Sequence, residues 1–223
     1  SAGMSIAAKL VETMKSRDLQ DVAVGAFEAA IDSELADGVL KEIPVFGWLI
    51  SLGRAGVSVR DRLFARKVEE FITSFSDLSW TERSRIFDEL GSTPELQERA
   101  ALAIVDILER CDPIHKPRLI GNLFVAMMRR HVLPEDLLRL CSMITGVFPE
   151  DLQTLAKRHN PEDLEDGRRF ALQANGFLVS RIGTLYAGSE SSALEWELSV
   201  DGKIILKHCF DPIPVNPFYE SSV

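Results

Sequence analysis

Apolar and polar positions along this chain follow a mainly helical period. From Met4 to about Ile31, Ile6, Leu10, Val11, Met14, Leu19, Val22, Phe27 and Ile31 recur mostly at helical spacings. That predicts one long or two shorter amphipathic helices. Asp32-Ser33 can break or re-cap the chain, and Glu34 to Lys41 reads as a short helix. Pro44 forces the residue before it out of helical geometry and suits a first turn. From Ile43 to Gly53 no residue is charged; Arg54 follows, then an uncharged run to Val59. A spanning helix needs roughly 20 mostly apolar residues, so this run is too short and is interrupted. Gly47, Ser51, Ala55 and Ser58 would line one thin face of a helix, where another backbone can approach closely. A helix apolar nearly all round is a buried one, in a protein core or in lipid. The stretch is therefore expected to be the central helix of a helical domain, with a membrane-active segment as the alternative.

Beyond Val59 the chain turns basic, with Arg60, Arg62, Arg66 and Lys67 against Asp61. Val59, Leu63, Val68, Phe71, Ile72 and Phe75 then form an amphipathic stripe. The basic run reads first as a solvated face leaving the core. The functional reading is an interfacial helix, with arginines at anionic headgroups and apolar residues in acyl chains. Trp48, Arg54, Arg60, Arg62, Arg66 and Lys67 are the candidate interaction or membrane residues on that reading.

Helix starts are clearer from Ser76 onward. Ser79-Trp80-Thr81-Glu82 is a capping-box pattern, predicting a helix to about Leu90 ended by Gly91. Thr93-Pro94-Glu95 combines a hydroxyl cap, a first-turn proline and a carboxylate complementing the dipole. Asp112-Pro113 repeats the device and predicts a helix to about Arg130. Pro-Glu-Asp-Leu then recurs from Pro134, Pro149 and Pro161, prolines 15 and 12 residues apart. Each copy predicts a helix start whose leucine is the first core contact. The spacing matches no long repeat period, so an array of short helical hairpins is expected rather than a solenoid. After Asn175-Gly176, Phe177 to Ser180, Thr184 to Ala187 and Leu194 to Val200 read as short strands of a hairpin region. Lys203 to Phe210 suits either a strand after Asp201-Gly202 or a helix capped by Ser199. Asp211 to Val223, with Pro212, Pro214 and Pro217, reads as an extended tail able to dock on the body or on a partner.

The 223 residues have 46% hydrophobic and 26% charged side chains, enough for a sizeable core. The formal charge of −9 disfavours nucleic acid as a partner, because phosphate contacts supply most of that affinity. Cys111, Cys141 and Cys209 are odd in number and far apart, which points to a reducing compartment. Ser1 to Gly3 read as a tag remnant, and Lys9, Glu12, Lys15 and Arg17 interrupt any secretory signal after Met4. No phosphate loop, dinucleotide glycine pattern, His-Glu-x-x-His or nucleophile elbow occurs. The acidic pairs Glu135-Asp136, Glu150-Asp151 and Glu162-Asp163 sit where helix dipoles explain them. Cys111 with His115 and His208 with Cys209 make a weak zinc pattern, since structural sites pair close ligands twice. No catalytic, cofactor or metal residue is therefore expected.

Glu197-Leu198-Ser199-Val200-Asp201-Gly202-Lys203-Ile204-Ile205-Leu206 resembles the end of a winged-helix unit. It departs from that pattern in Asp201 before the glycine and in lacking an evident basic recognition helix. Ile43-Pro44-Val45-Phe46-Gly47, the basic run after it, and Gly202 to Cys209 with Phe210 resemble bacterial helical proteins of the abortive-infection alpha type. The resemblance implies a bacterial cytoplasmic protein linked to phage defence, and it carries over no catalytic residues.

The expected fold is mainly α: a compact multi-helix array around a central apolar helix, with a small C-terminal β-hairpin or winged-helix-like α+β part. The expected organisation is a helical domain over 4–175, a hairpin subdomain over 176–210 and a Pro-rich tail over 211–223. The expected function is a non-enzymatic interaction protein with a protein partner, in the cytoplasm. The alternatives are a peripheral membrane effector using Ile43–Lys67 and a winged-helix nucleic-acid binder. Homo-oligomerisation is left open.

Overall fold

A computed structural model describes residues 5–17, 19, 42–53, 58–75, 78–112, 115–158, 160–182 and 194–210. The fold is mainly helical, with a two-stranded antiparallel sheet near the C-terminus. Two compact units divide the chain, residues 1–145 and 146–223. Residues 146–175 fall in the same unit as the hairpin.

Among the described residues the first unit holds α1 (Ile6–Lys15), α2 (Pro44–Gly53), α3 (Val59–Thr73), α4 (Trp80–Ser84), α5 (Ile86–Leu90), α6 (Pro94–Arg110), α7 (Lys116–Met128) and α8 (Pro134–Gly146). Helix α1 starts where Ser5 accepts from the Ala8 N–H, and it buries Ala7, Leu10 and Met14 on one stripe. It packs along α6 and α2. The apolar helix foreseen after Ile43 is α2, with Ile43, Val45, Phe46 and Ile50 all buried. Its start is capped from another helix: the buried Thr13 hydroxyl accepts from the Val45 N–H at 3.0 Å. Ser58 is not on α2. It caps α3 through a capping box with Asp61, so the thin face from Gly47 to Ser58 is not one helix face.

Helix α3 packs along α7, and the packing centres on three phenylalanines. Phe71 meets Phe75 and Phe124 edge-on, with centroids 5.0 and 5.3 Å apart. The two helices approach closely at Gly121, where an added Cβ would lie 2.7 Å from the Phe71 carbonyl oxygen and closer still to the Ser74 hydroxyl. Only hydrogen fits there.

Buried cations tie helix ends together. Arg83 donates from Nε to the Met14 carbonyl at 3.2 Å and from its terminal nitrogen to Ser16 at 2.7 Å. Lys116 donates from Nζ to the Thr145 carbonyl at 3.0 Å and pairs with Asp112 at 3.1 Å. Each places positive charge at the carbonyl end of a helix, where the dipole favours it.

The capping expectations hold at Ser79 and Thr93. The helix after Ser79 is broken at Arg85 into α4 and α5. Helix α7 begins at Lys116 rather than at Asp112-Pro113, with His115 before it at a φ of 67°. Asp112 is occupied by Lys116 instead of capping.

The second unit holds α9 (Pro149–Arg158), a 3₁₀ turn (Pro161–Asp163), α10 (Asp166–Ala174), β1 (Leu178–Ile182), β2 (Leu194–Leu198) and α11 (Val200–Cys209). The first two Pro-Glu-Asp-Leu copies start α8 and α9. The third makes only the 3₁₀ turn, and its Glu162 accepts from the Trp196 backbone N–H at 2.9 Å and from Arg169 at 2.8 Å. All three leucines, Leu137, Leu152 and Leu164, are buried. Lys203 to Cys209 is helix, not strand: Ser199 accepts from the Gly202 N–H at 2.8 Å. The Glu34–Lys41 helix, the Thr184–Ala187 strand, the tail over 211–223 and Arg54 lie outside the described residues.

Candidate functional site

The start of α3 gathers what the basic run promised. Ser58 and Asp61 form a reciprocal cap, with Ser58 donating from its hydroxyl to Asp61 at 2.7 Å. That cap sets the helix phase. Val59, Arg62, Leu63 and Arg66 then fall at spacings of three and four, on one face. All four are exposed, and so is Arg60 at the edge of that face. Val59 is 76% and Leu63 43% exposed. Of the amphipathic stripe read from Val59 to Phe75, the buried part begins only at Ala65 and Val68.

The surface is therefore an apolar pair bordered by three arginines at a helix N-terminus. Asp61, the acidic residue among them, is held by Ser58. Such a surface attracts an anion and offers an apolar contact beside it.

Lys67 does not belong to this surface. It is buried and donates from Nζ to the Glu109 carbonyl at 2.8 Å, at the end of α6. Trp48 is half-buried on α2. Of the six residues singled out from sequence, Arg60, Arg62 and Arg66 are brought together. Val59 and Leu63 were missed as surface residues. The available signal was the Ser58–Asp61 cap, which puts Val59 at the first helical position, ahead of the packed turns.

Asp136 pairs with Arg139 at 2.9 Å, and Asp151 lies 3.4 Å from Arg168. All three cysteines are buried. Burial pushes the Cys111 thiol up to about 11, against a smaller opposite pull from Lys67 and Lys116. Burial raises Cys141 as well. Among the described residues no group of three or more His, Cys, Asp or Glu is placed to hold a metal ion. Nor is any described helix long and apolar enough to cross a membrane.

In the second unit, α9 and α10 are followed by the hairpin. The two arginines of α10 are both paired: Arg168 with Asp151, and Arg169 with Glu162 and Asp166. Comparison with known proteins finds no family model, curated protein or solved structure that matches the chain.

Proposed function

We propose that the chain is a non-enzymatic interaction protein that docks on a protein partner through the start of α3. The observation that carries this reading is the exposed Val59–Leu63 pair bordered by Arg60, Arg62 and Arg66. Charged residues placed around an apolar centre steer encounter and set register, while the apolar contact holds the complex. The partner then presents carboxylates around an apolar centre. The ion pairs of Asp136, Asp151 and Glu162 and the burial of the thiols support a role without catalysis. The paired arginines of α10 speak against phosphate contact.

A photo-reactive residue placed at Leu63 in cells tests the reading. A discrete protein adduct, lost when Arg60 and Arg62 become glutamate, supports it; no adduct, or one indifferent to that change, contradicts it. The same arginines favour a second reading, contact with anionic lipid. Flotation with vesicles of mixed phosphatidylglycerol and phosphatidylcholine, but not of phosphatidylcholine alone, would replace the protein partner by a membrane surface. The resemblance to abortive-infection proteins suggests a bacterial cytoplasmic setting in phage defence. If so, expression lowers phage plating efficiency, and the double glutamate variant restores it.

A further inference from the structure

A second exposed apolar surface lies in the hairpin unit. The register sets Ile182 opposite Leu194 and Ser180 opposite Trp196, so Ile182, Leu194 and Trp196 share one face of the hairpin. The Phe170 ring meets Trp196 edge-on, centroids 5.2 Å apart, which extends that face onto α10. Trp196 is buried beneath, while Ile182 is 75%, Phe170 52% and Leu194 45% exposed.

The rim of this face is acidic. The Glu162 carboxylate accepts from the Trp196 backbone N–H at 2.9 Å, which holds the 3₁₀ turn against β2. Asp166 stands one turn before Phe170 on α10, on the same side of that helix. Asp163 and Glu165 lie between them in the chain, and all four carboxylates are exposed. Arg169 pairs with Glu162 and Asp166, whereas Arg168 is drawn off to Asp151. Four carboxylates around one guanidinium leave the rim negative.

The start of α3 is the counterpart in both respects. Val59 and Leu63 offer an apolar pair, and Arg60, Arg62 and Arg66 border it at the positive end of a helix. The partner that this surface calls for presents carboxylates around an apolar centre, and the hairpin unit of the same chain presents that arrangement. Copies carrying a charge of −9 repel in most orientations. An encounter that brings the arginines onto the acidic rim is favoured over those.

We infer that a second copy of the chain is the partner: Val59 and Leu63 of one molecule dock on the Phe170–Ile182–Leu194 face of another, with Arg60 and Arg62 against its acidic rim. This rests on the docking reading of α3 and names its partner. Two different surfaces meet, so the contact is heterologous and repeats from copy to copy until a ring closes.

Sedimentation of the purified full chain tests it. The mean mass rises with protein concentration. Arg60→Glu with Arg62→Glu sediments as a monomer, and so does Ile182→Lys with Leu194→Lys, all four positions being exposed. Asp163→Lys with Glu165→Lys gives the same result without touching the apolar face, should the lysines on the hairpin disturb its fold. Mixed in equal amounts, the α3 variant and a hairpin-unit variant recombine into a species of two chains and no larger, because each retains the surface the other has lost. A chain that stays monomeric at every concentration would overturn the inference. So would variants that still associate, or a mixture that does not recombine. The crosslink from position 63 keeps the two readings apart. An adduct of twice the chain's mass supports the inference. An adduct with a different protein overturns it and leaves the docking reading standing, and no adduct removes both.

Discussion

Lys67 turns away from the arginines that precede it and donates from its Nζ to the carbonyl oxygen of Glu109, 2.8 Å away. Four cations that look alike in sequence thus have two fates. Lys67 closes the carbonyl end of α6 inside the first unit, and Arg60, Arg62 and Arg66 stay at the surface.

That division predicts different responses to substitution. Lys67→Met removes a charged hydrogen bond from a buried site and leaves a helix-end carbonyl without its donor. A loss of about 1–3 kcal/mol is expected in urea unfolding. Arg62→Ala at the exposed face changes stability by no more than about 0.5 kcal/mol. Equal effects would remove the distinction between the two sets.

The crossing of α3 and α7 predicts a steric effect. Gly121→Ala places a Cβ 2.7 Å from the Phe71 carbonyl oxygen as well as against Ser74. Overpacking of this kind costs about 1–3 kcal/mol. Adding Ser74→Ala restores only part of that stability, since the backbone contact remains. Full restoration in a melting experiment would show that the hydroxyl alone was the obstacle.

Alkaline pH exposes the buried thiols. The Cys111 pKa rises from 9.0 to about 11 in the folded chain, chiefly by burial. The unfolded chain therefore loses its proton first. Stability is fully present below pH 9 and falls as pH rises from 9.0 through about 11. Cys111→Ala makes the unfolding free energy flatter across that window. Cys141, raised in the same direction, keeps a part of the slope.

Gly202 reports on the hairpin unit. A Cβ there would lie 2.5 Å from the Phe177 carbonyl oxygen, against which α11 begins. Gly202→Ala therefore loosens the first turn of α11, and amide exchange rises over Val200–Cys209. Ser199→Ala, which removes the cap and a 2.6 Å bond to the Gly176 carbonyl, costs about 1 kcal/mol.

Local chemistry was the part of the fold legible in the chain. Ser79 with Glu82, Thr93 with Pro94, and the buried Leu137, Leu152 and Leu164 follow from rules that act within a few residues. What was not legible depends on distant partners. Thr13 capping α2, Arg83 closing α1 and Gly121 admitting α3 each need a neighbour over 30 residues away. The third Pro-Glu-Asp-Leu copy reads like the others, yet its glutamate is claimed by a strand 34 residues on. At the candidate site the arginines were legible as a basic run. That Lys67 leaves them and that Val59 and Leu63 join them depended on where α6 and α7 lie against α3.

The measurement that bears most directly on the docking surface is the yield of a photo-crosslink from position 63, followed as salt is raised and as Arg62 is changed to glutamate. The docking account predicts a discrete protein adduct whose yield falls with added salt and falls further in Arg62→Glu, with folding unchanged. A yield indifferent to both, or no adduct at any salt concentration, would contradict it.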